Sequence, residues 1–152
     1  MRSYLVVIDE SPESALAMRF AARRAAKTGG RVHVLAIVPE QDFIAFGGAQ
    51  ATMEQEAMAR AEALVAVAAG TLVEENGIRP EITVRQGDEI DVVHAILAEN
   101  HDIAALVLGA AANGSPGPLV SHFAGGSKAG GLPCPLMIIP GSLSTEEIDR
   151  LS

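Results

Sequence analysis

Four short apolar runs limit what this chain can become. Tyr4–Ile8, Val32–Val38, Ile103–Leu108 and Leu136–Ile139 are dense in β-branched and aliphatic residues and show no polar alternation. A strand with one face in water alternates, whereas a strand apolar throughout has to be covered on both faces. These four runs therefore read as strands of a parallel sheet sandwiched between helices. Glu81–Gln86 alternates instead and reads as an edge strand.

Helical segments separate the runs. Ser11 is an N-cap residue with Pro12 at the first helical position, opening a helix to about Lys27 that Thr28-Gly29-Gly30 stops. Met53, Ala57, Ala61, Leu64, Ala68 and Leu72 recur at spacings of three and four, giving a second, long helix that ends at Asn76-Gly77. A third follows Gly87, with Ile90, Val93, His94 and Leu97 expected inward and Glu89, Asp91 and Glu99 outward. Strand–helix alternation of this kind predicts a single-domain α/β fold, an open five-stranded parallel sheet of Rossmann-like type with helices on both faces. Residues 1–141 make up that domain. Residues 142–152 form a polar extension whose Ser144 and Glu147 are spaced as a capping box, which predicts a short terminal helix. Sheets of this class bind ligands at the carboxyl ends of their strands, where the winding reverses. Here those ends are Asp9, the Ile37–Pro39 turn and the segment from Gly109.

Charge and cysteine content narrow the function. At 152 residues with a formal net charge of −8 and no lysine/arginine block, the chain lacks the basic patch that nucleic acids or anionic membranes require. Arg19, Arg23 and Arg24 read as a solvated helix face. One cysteine, Cys134, permits no intrachain disulfide, and no apolar run nears the roughly 20 residues of a membrane span. Met1-Arg-Ser-Tyr leads straight into a strand and does not resemble a signal peptide. The expected location is the cytoplasm.

A glycine-rich stretch follows the run ending at Leu108: Gly109 to Gly117, then Ala124 to Gly131. Glycines at the carboxyl end of a strand let backbone N–H groups close around a phosphate. With the phrase Tyr4–Pro12 and the final Cys134–Ile139, this stretch resembles the universal stress protein family, over nearly the whole chain. The resemblance implies an adenine nucleotide alpha hydrolase-like fold and a homodimer paired along the last strand, here Leu136, Met137, Ile138 and Ile139. One branch of that family binds ATP or AMP through Gly-x-x-Gly, nine residues, then Gly-Ser or Gly-Thr; the other lacks the pattern. Carried over, the adenine- and ribose-contacting aspartate falls on Asp9, the apolar adenine contact near Ile37, and the start of the phosphate loop on Gly109. An ungapped comparison then puts Ala112, His122 and Phe123 where the second glycine, third glycine and hydroxyl belong. A shifted comparison uses Gly114, Gly117, eight residues, then Gly126 and Ser127, one residue short of the pattern. Both comparisons stand at this point.

The remaining candidates are weaker. Lys128 follows Gly-Ser without the spacing of a Walker A loop. Ser121-His122, with Asp9 or Asp102 as orienter, lacks the nucleophile elbow of a hydrolase. His33, His94, His101 and His122 show no metal-ligand spacing, and Cys134 reads as a small buried hydrophobe. Phe43 and Phe46, beside Gly47-Gly48, suit a cleft lid, a partner contact or a loop pinned to its own core. Two functional readings follow: a stress-response binding and association module without catalysis, its cleft at the carboxyl edge empty or taking another small molecule, or an adenine-nucleotide switch or slow ATPase.

Overall fold

The computed structural model describes residues 2–40, 49–125 and 128–152. Its elements run β1 (Ser3–Ile8), α1 (Pro12–Thr28), β2 (Arg31–Val38), α2 (Ala49–Asn76), β3 (Glu81–Gln86), α3 (Glu89–Glu99), β4 (Ile103–Ala110), α4 (Pro118–Ala124), β5 (Leu136–Pro140) and α5 (Thr145–Leu151). A short 3-10 turn at Ala129–Gly131 precedes β5. The five strands form one parallel sheet in the order β3-β2-β1-β4-β5. The chain steps outward one way through β2 and β3 and the other way through β4 and β5. The winding therefore reverses between β1 and β4, the place where such sheets hold ligands.

Continuous apolar strands supply two cores. Tyr4, Val6 and Ile8 of β1, with Val34, Ala36 and Val107, pack under α1, α2 and α5. Leu5, Leu35, Leu106 and Leu108 point the other way, against α3 and α4. Period-two alternation within each strand serves a core on each side, which explains the absence of polar positions. Glu81–Gln86 is an edge strand, as its alternation predicts, and β5 is the other edge.

The helices depart from expectation in four places. Met53, at the start of the apolar stripe of α2, is exposed, whereas Ala68 and Leu72 further along are buried. In α3 the inward positions are Val92, Val93, Ile96 and Leu97, so His94 is exposed and Glu89 is half-buried. Two faces of this helix satisfy helical spacing, and the wholly aliphatic one is buried. Within the glycine stretch a helix, α4, spans the positions where the ungapped comparison puts the third glycine and hydroxyl, and Phe123 from it is fully buried. Arg19 and Arg23 are not a solvated face: both reach across to α5.

That contact explains the terminal helix. Ser144 Oγ accepts from Glu147 N–H at 3.1 Å, and Glu147 Oε1 accepts from Ser144 N–H at 3.1 Å, so the capping box is formed. Ile148 is fully buried in the core shared with α1. Arg19 grips Asp149 with both ends of its fork, Nε to Oδ1 at 2.6 Å and Nη2 to Oδ2 at 2.8 Å. Arg23 donates to Ser152 Oγ at 2.8 Å and to the Asp149 carbonyl at 3.1 Å. The hydrogen bonds from Arg19 hold the Asp149 carboxyl below its ordinary range. A carboxyl depressed in the folded state stabilises above its unfolded pKa and stops doing so as pH falls through the folded value. Asp149→Asn is therefore expected to lower the Tm at pH 7, with the difference from the parent shrinking as pH drops from about 4; thermal melts at pH 7 and across the range below that value check it.

Candidate functional site

The chain leaves β1 at Asp9 and turns at once into α1. Asp9 Oδ1 accepts from Ser11 N–H at 2.8 Å, and Asp9 N–H donates to Ser14 Oγ at 2.9 Å. The Ser14 hydroxyl in turn donates to the Asp9 carbonyl at 3.0 Å. Ser11 Oγ caps the helix by accepting from Ser14 N–H at 3.3 Å. Asp9 thus helps cap the turn with one carboxylate oxygen, while Oδ2 makes no hydrogen bond among the described residues.

Asp9 also lines a cleft of about 90 Å³ at the winding reversal, with Ile37, Glu13, Glu89, Gly109, Gly117 and the start of α4. The cleft brings together three widely separated positions that the sequence singled out, Asp9, Ile37 and Gly109, and adds Gly117 from the shifted comparison. Ala112 and Gly114 do not line it. Both are exposed in the turn that the Ala111 N–H bond to the Pro116 carbonyl closes at 3.2 Å. Gly126 and Ser127 lie outside the described residues, as do Phe43, Phe46, Gly47 and Gly48. Lys128 is exposed and does not border the cleft.

Gly109 has a packing task. A Cβ there would collide with the Glu13 carbonyl in the first turn of α1, so the end of β4 can touch α1 only as glycine. Gly117 has a conformational one: its φ of 111° is left-handed territory, and it delivers the chain into Pro118 at the first turn of α4. Neither role requires a phosphate. His122 and Phe123 are likewise structural, with ring centroids 4.9 Å apart edge to face, and His94 lies 5.2 Å from Phe123. In the ungapped comparison His122 and Phe123 fall on the pattern's third glycine and hydroxyl.

The electrostatics follow. Asp9, Glu13 and Glu89 are the ionisable residues lining the cleft, and no lysine or arginine does so among the described residues. Burial, then the neighbouring Asp9 and Asp88 carboxylates, push the Glu89 carboxyl above its ordinary range. An adjoining cavity of about 310 Å³ under α2 shares Ile8, Asp9, Ile37 and Glu89, and adds Glu10 and Arg60. Even there one cation faces three carboxylates. Sequence reasoning placed Glu89 outward and missed it; the signal available was its position two residues after Gly87, at the carboxyl end of β3.

Other sequence candidates are dispersed. Asp102 sits at the amino end of the sheet, where its carbonyl accepts from Ser3 N–H at 3.0 Å and its carboxylate bonds Arg31 at 3.4 Å. It cannot orient His122. His33 is buried and bonds Thr83 Oγ1 at 2.7 Å; burial lowers its pKa. Cys134 is half-buried, and burial pushes its thiol up. Leu136 and Met137 are half-buried, Ile139 is buried, and Ile138 is exposed.

The family model for the universal stress protein family matches residues 1–140. The chain belongs to that family. Its fold is similar to that of universal stress protein UspA from Lactobacillus plantarum, with 17% identity, a TM-score of 0.72, and 91% of this chain and 97% of that one covered. It is similar as well to a universal stress protein solved in complex with cAMP (16% identity, TM-score 0.57, coverage 93% and 98%). A universal stress protein from Archaeoglobus fulgidus in complex with dAMP matches with 19% identity, a TM-score of 0.50, and coverage of 91% and 98%. At these identities the likeness is one of fold. No curated protein matches the sequence.

The two glycine positions of the family pattern make opposite predictions. Gly109→Ala is expected to destabilise by about 2 kcal/mol, because it overpacks against backbone that cannot move aside, lowering the Tm by roughly 4–8 °C. Ala112→Gly, which in the ungapped comparison would restore the family's second glycine, is expected to shift the Tm by under about 2 °C and to confer no ATP binding. Thermal melts with and without ATP check both.

Proposed function

We propose that this member of the universal stress protein family is a binding and association module, acting in the cytoplasm without catalysis, whose cleft, together with the adjoining cavity under α2, takes a nucleoside in preference to a nucleoside triphosphate. One observation carries the reading: the cleft at the winding reversal presents Asp9, Glu13 and Glu89 and no positive side chain among its described lining residues. Carboxylates accept hydrogen bonds from ribose hydroxyls and an exocyclic amine, and Ile37 offers an apolar surface to a flat base. The same carboxylates repel a polyphosphate. Gly109, the surviving glycine of the family pattern, is committed to packing. Two solved neighbours in complex with cAMP and dAMP support an adenosine-type ligand over an unrelated one.

Calorimetric titration separates the readings. Adenosine is expected to bind at least as tightly as AMP, and ATP at least tenfold more weakly than adenosine. Asp9→Asn keeps the cap acceptor and removes the charge, so it should weaken adenosine about tenfold without altering the Tm appreciably. ATP binding tightest of the three would overturn the nucleoside preference; no heat with any of them would overturn the adenosine-type ligand.

The association half of the proposal rests on β5. It is an unpaired sheet edge with Ile138 exposed, and such an edge invites a second chain. Ile138→Lys is expected to lower the mass that light scattering reports at micromolar concentration by removing the β5 contact, and an unchanged mass would reject β5 as a contact.

A further inference from the structure

The outward side of α2 is unlike a solvent face. Ala59, Ala63, Ala66, Gly70 and Val73 form its outer row, all exposed, at spacings that alternate between four and three. Beside the row, Val67 is 70% exposed, and Val73 within it is 49% exposed. Ile82 on the neighbouring edge strand, in phase with Val84 that packs on the core beneath α2, is 42% exposed. The opposite side of the helix, with Val65, Ala68 and Leu72, is buried on the sheet. A helix apolar on both sides belongs between two layers, and the described residues supply one of them.

The pattern also indicates what the second layer is. Alternating four-and-three spacing is a heptad seam, and residues this small let two helix axes come close. One residue beyond the seam lie Arg60, Val67 and Glu74, seven apart and all exposed. Neither Arg60 nor Glu74 has an ion-pair partner among the described residues. Consider two copies antiparallel about a two-fold axis at Ala66–Val67. Ala63 then faces Gly70 of the second copy, Ala59 faces its Val73, and Val67 meets its Val67. Arg60 of each copy comes beside Glu74 of the other, so two ion pairs form for one axis. A parallel pairing instead sets Arg60 beside Gln55 and Val67 beside Glu62, with no charge matched.

We propose that α2 is a self-association surface whose occupant is α2 of a second copy of this chain, packed antiparallel across Ala66. It goes beyond the binding reading above. It is also separate from the β5 edge, since α2 covers β2 and β3 at the other end of the sheet order. A two-fold contact of this kind is self-complementary and closes on itself. A single helix pair is small among specific interfaces, so the association belongs in the micromolar range.

Disulfide trapping tests the geometry directly. In a Cys134→Ser chain, Ala66→Cys places the two introduced thiols next to each other across the axis. Ala59→Cys places them roughly 20 Å apart in the antiparallel arrangement, far outside disulfide reach, but adjacent in a parallel one. Mild oxidation at micromolar concentration is expected to give a covalent dimer at position 66 and at least tenfold less at position 59. Light scattering supplies a second readout: Glu74→Arg should weaken the association at least tenfold, and adding Arg60→Glu should restore it. All these positions are exposed on a helix, and none of the replacements breaks one. Trapping equal at the two positions, none at 66, or no rescue by the charge swap would overturn the proposal. Trapping at 66 is also expected to persist with Ile138→Lys; its loss there would assign the contact to β5 and overturn α2 as the surface.

Discussion

The end of β4 touches the first turn of α1 at a distance that only glycine allows. A side chain at Gly109 would strike the Glu13 carbonyl, so this one backbone approach sets how closely the two halves of the sheet carry their helices. It fixes the width of the cleft between β1 and β4, and it brings Glu13 to the cleft wall beside Asp9. The shape of the functional edge and its negative charge therefore have one origin. A glycine that would otherwise be counted toward a phosphate loop is held in place by packing.

From that constraint the character of the site follows. Asp9 divides its carboxylate between capping α1 and facing the cleft, and Ile37 supplies an apolar floor. Glu89, half-buried and crowded by Asp9 and Asp88, adds a carboxyl that resists ionisation. In the proposed reading a nucleoside finds acceptors and a flat surface there, while a triphosphate finds like charge. The Ala111–Pro116 segment is closed by its own turn, and in the ungapped comparison the hydroxyl position beyond it falls on the buried Phe123.

Much of this was legible in the sequence, for identifiable reasons. Unalternating runs such as Tyr4–Ile8 have to be doubly covered strands, and the alternation of Glu81–Gln86 marks an edge; both follow from burial alone. Ser11-Pro12 and the Ser144–Glu147 pair announced helix starts because capping is local chemistry. Facing was harder. In α3 two faces obeyed the same spacing, and the choice between His94 and Ile96 depends on the partner surface, which is tertiary. For the same reason Arg19 and Arg23 could not be seen as the clamp on α5: Asp149 lies 130 positions from Arg19 in the chain. The role of Gly109 was invisible because glycine for close packing and glycine for phosphate are written identically.

The proposed ligand chemistry is concentrated at the acidic cleft and is absent from the glycine-rich turn. Amide chemical shifts of the isotopically labelled protein, followed during titration with adenosine and then with ATP, test it most directly. The expected result is saturable movement at Asp9, Ile37, Gly109, Gly117, Leu119 and Val120 with adenosine, little movement at 112–115, and weaker changes throughout with ATP. Larger shifts at 112–115 or 128–131 with ATP than at Asp9 and Ile37 with adenosine would contradict it.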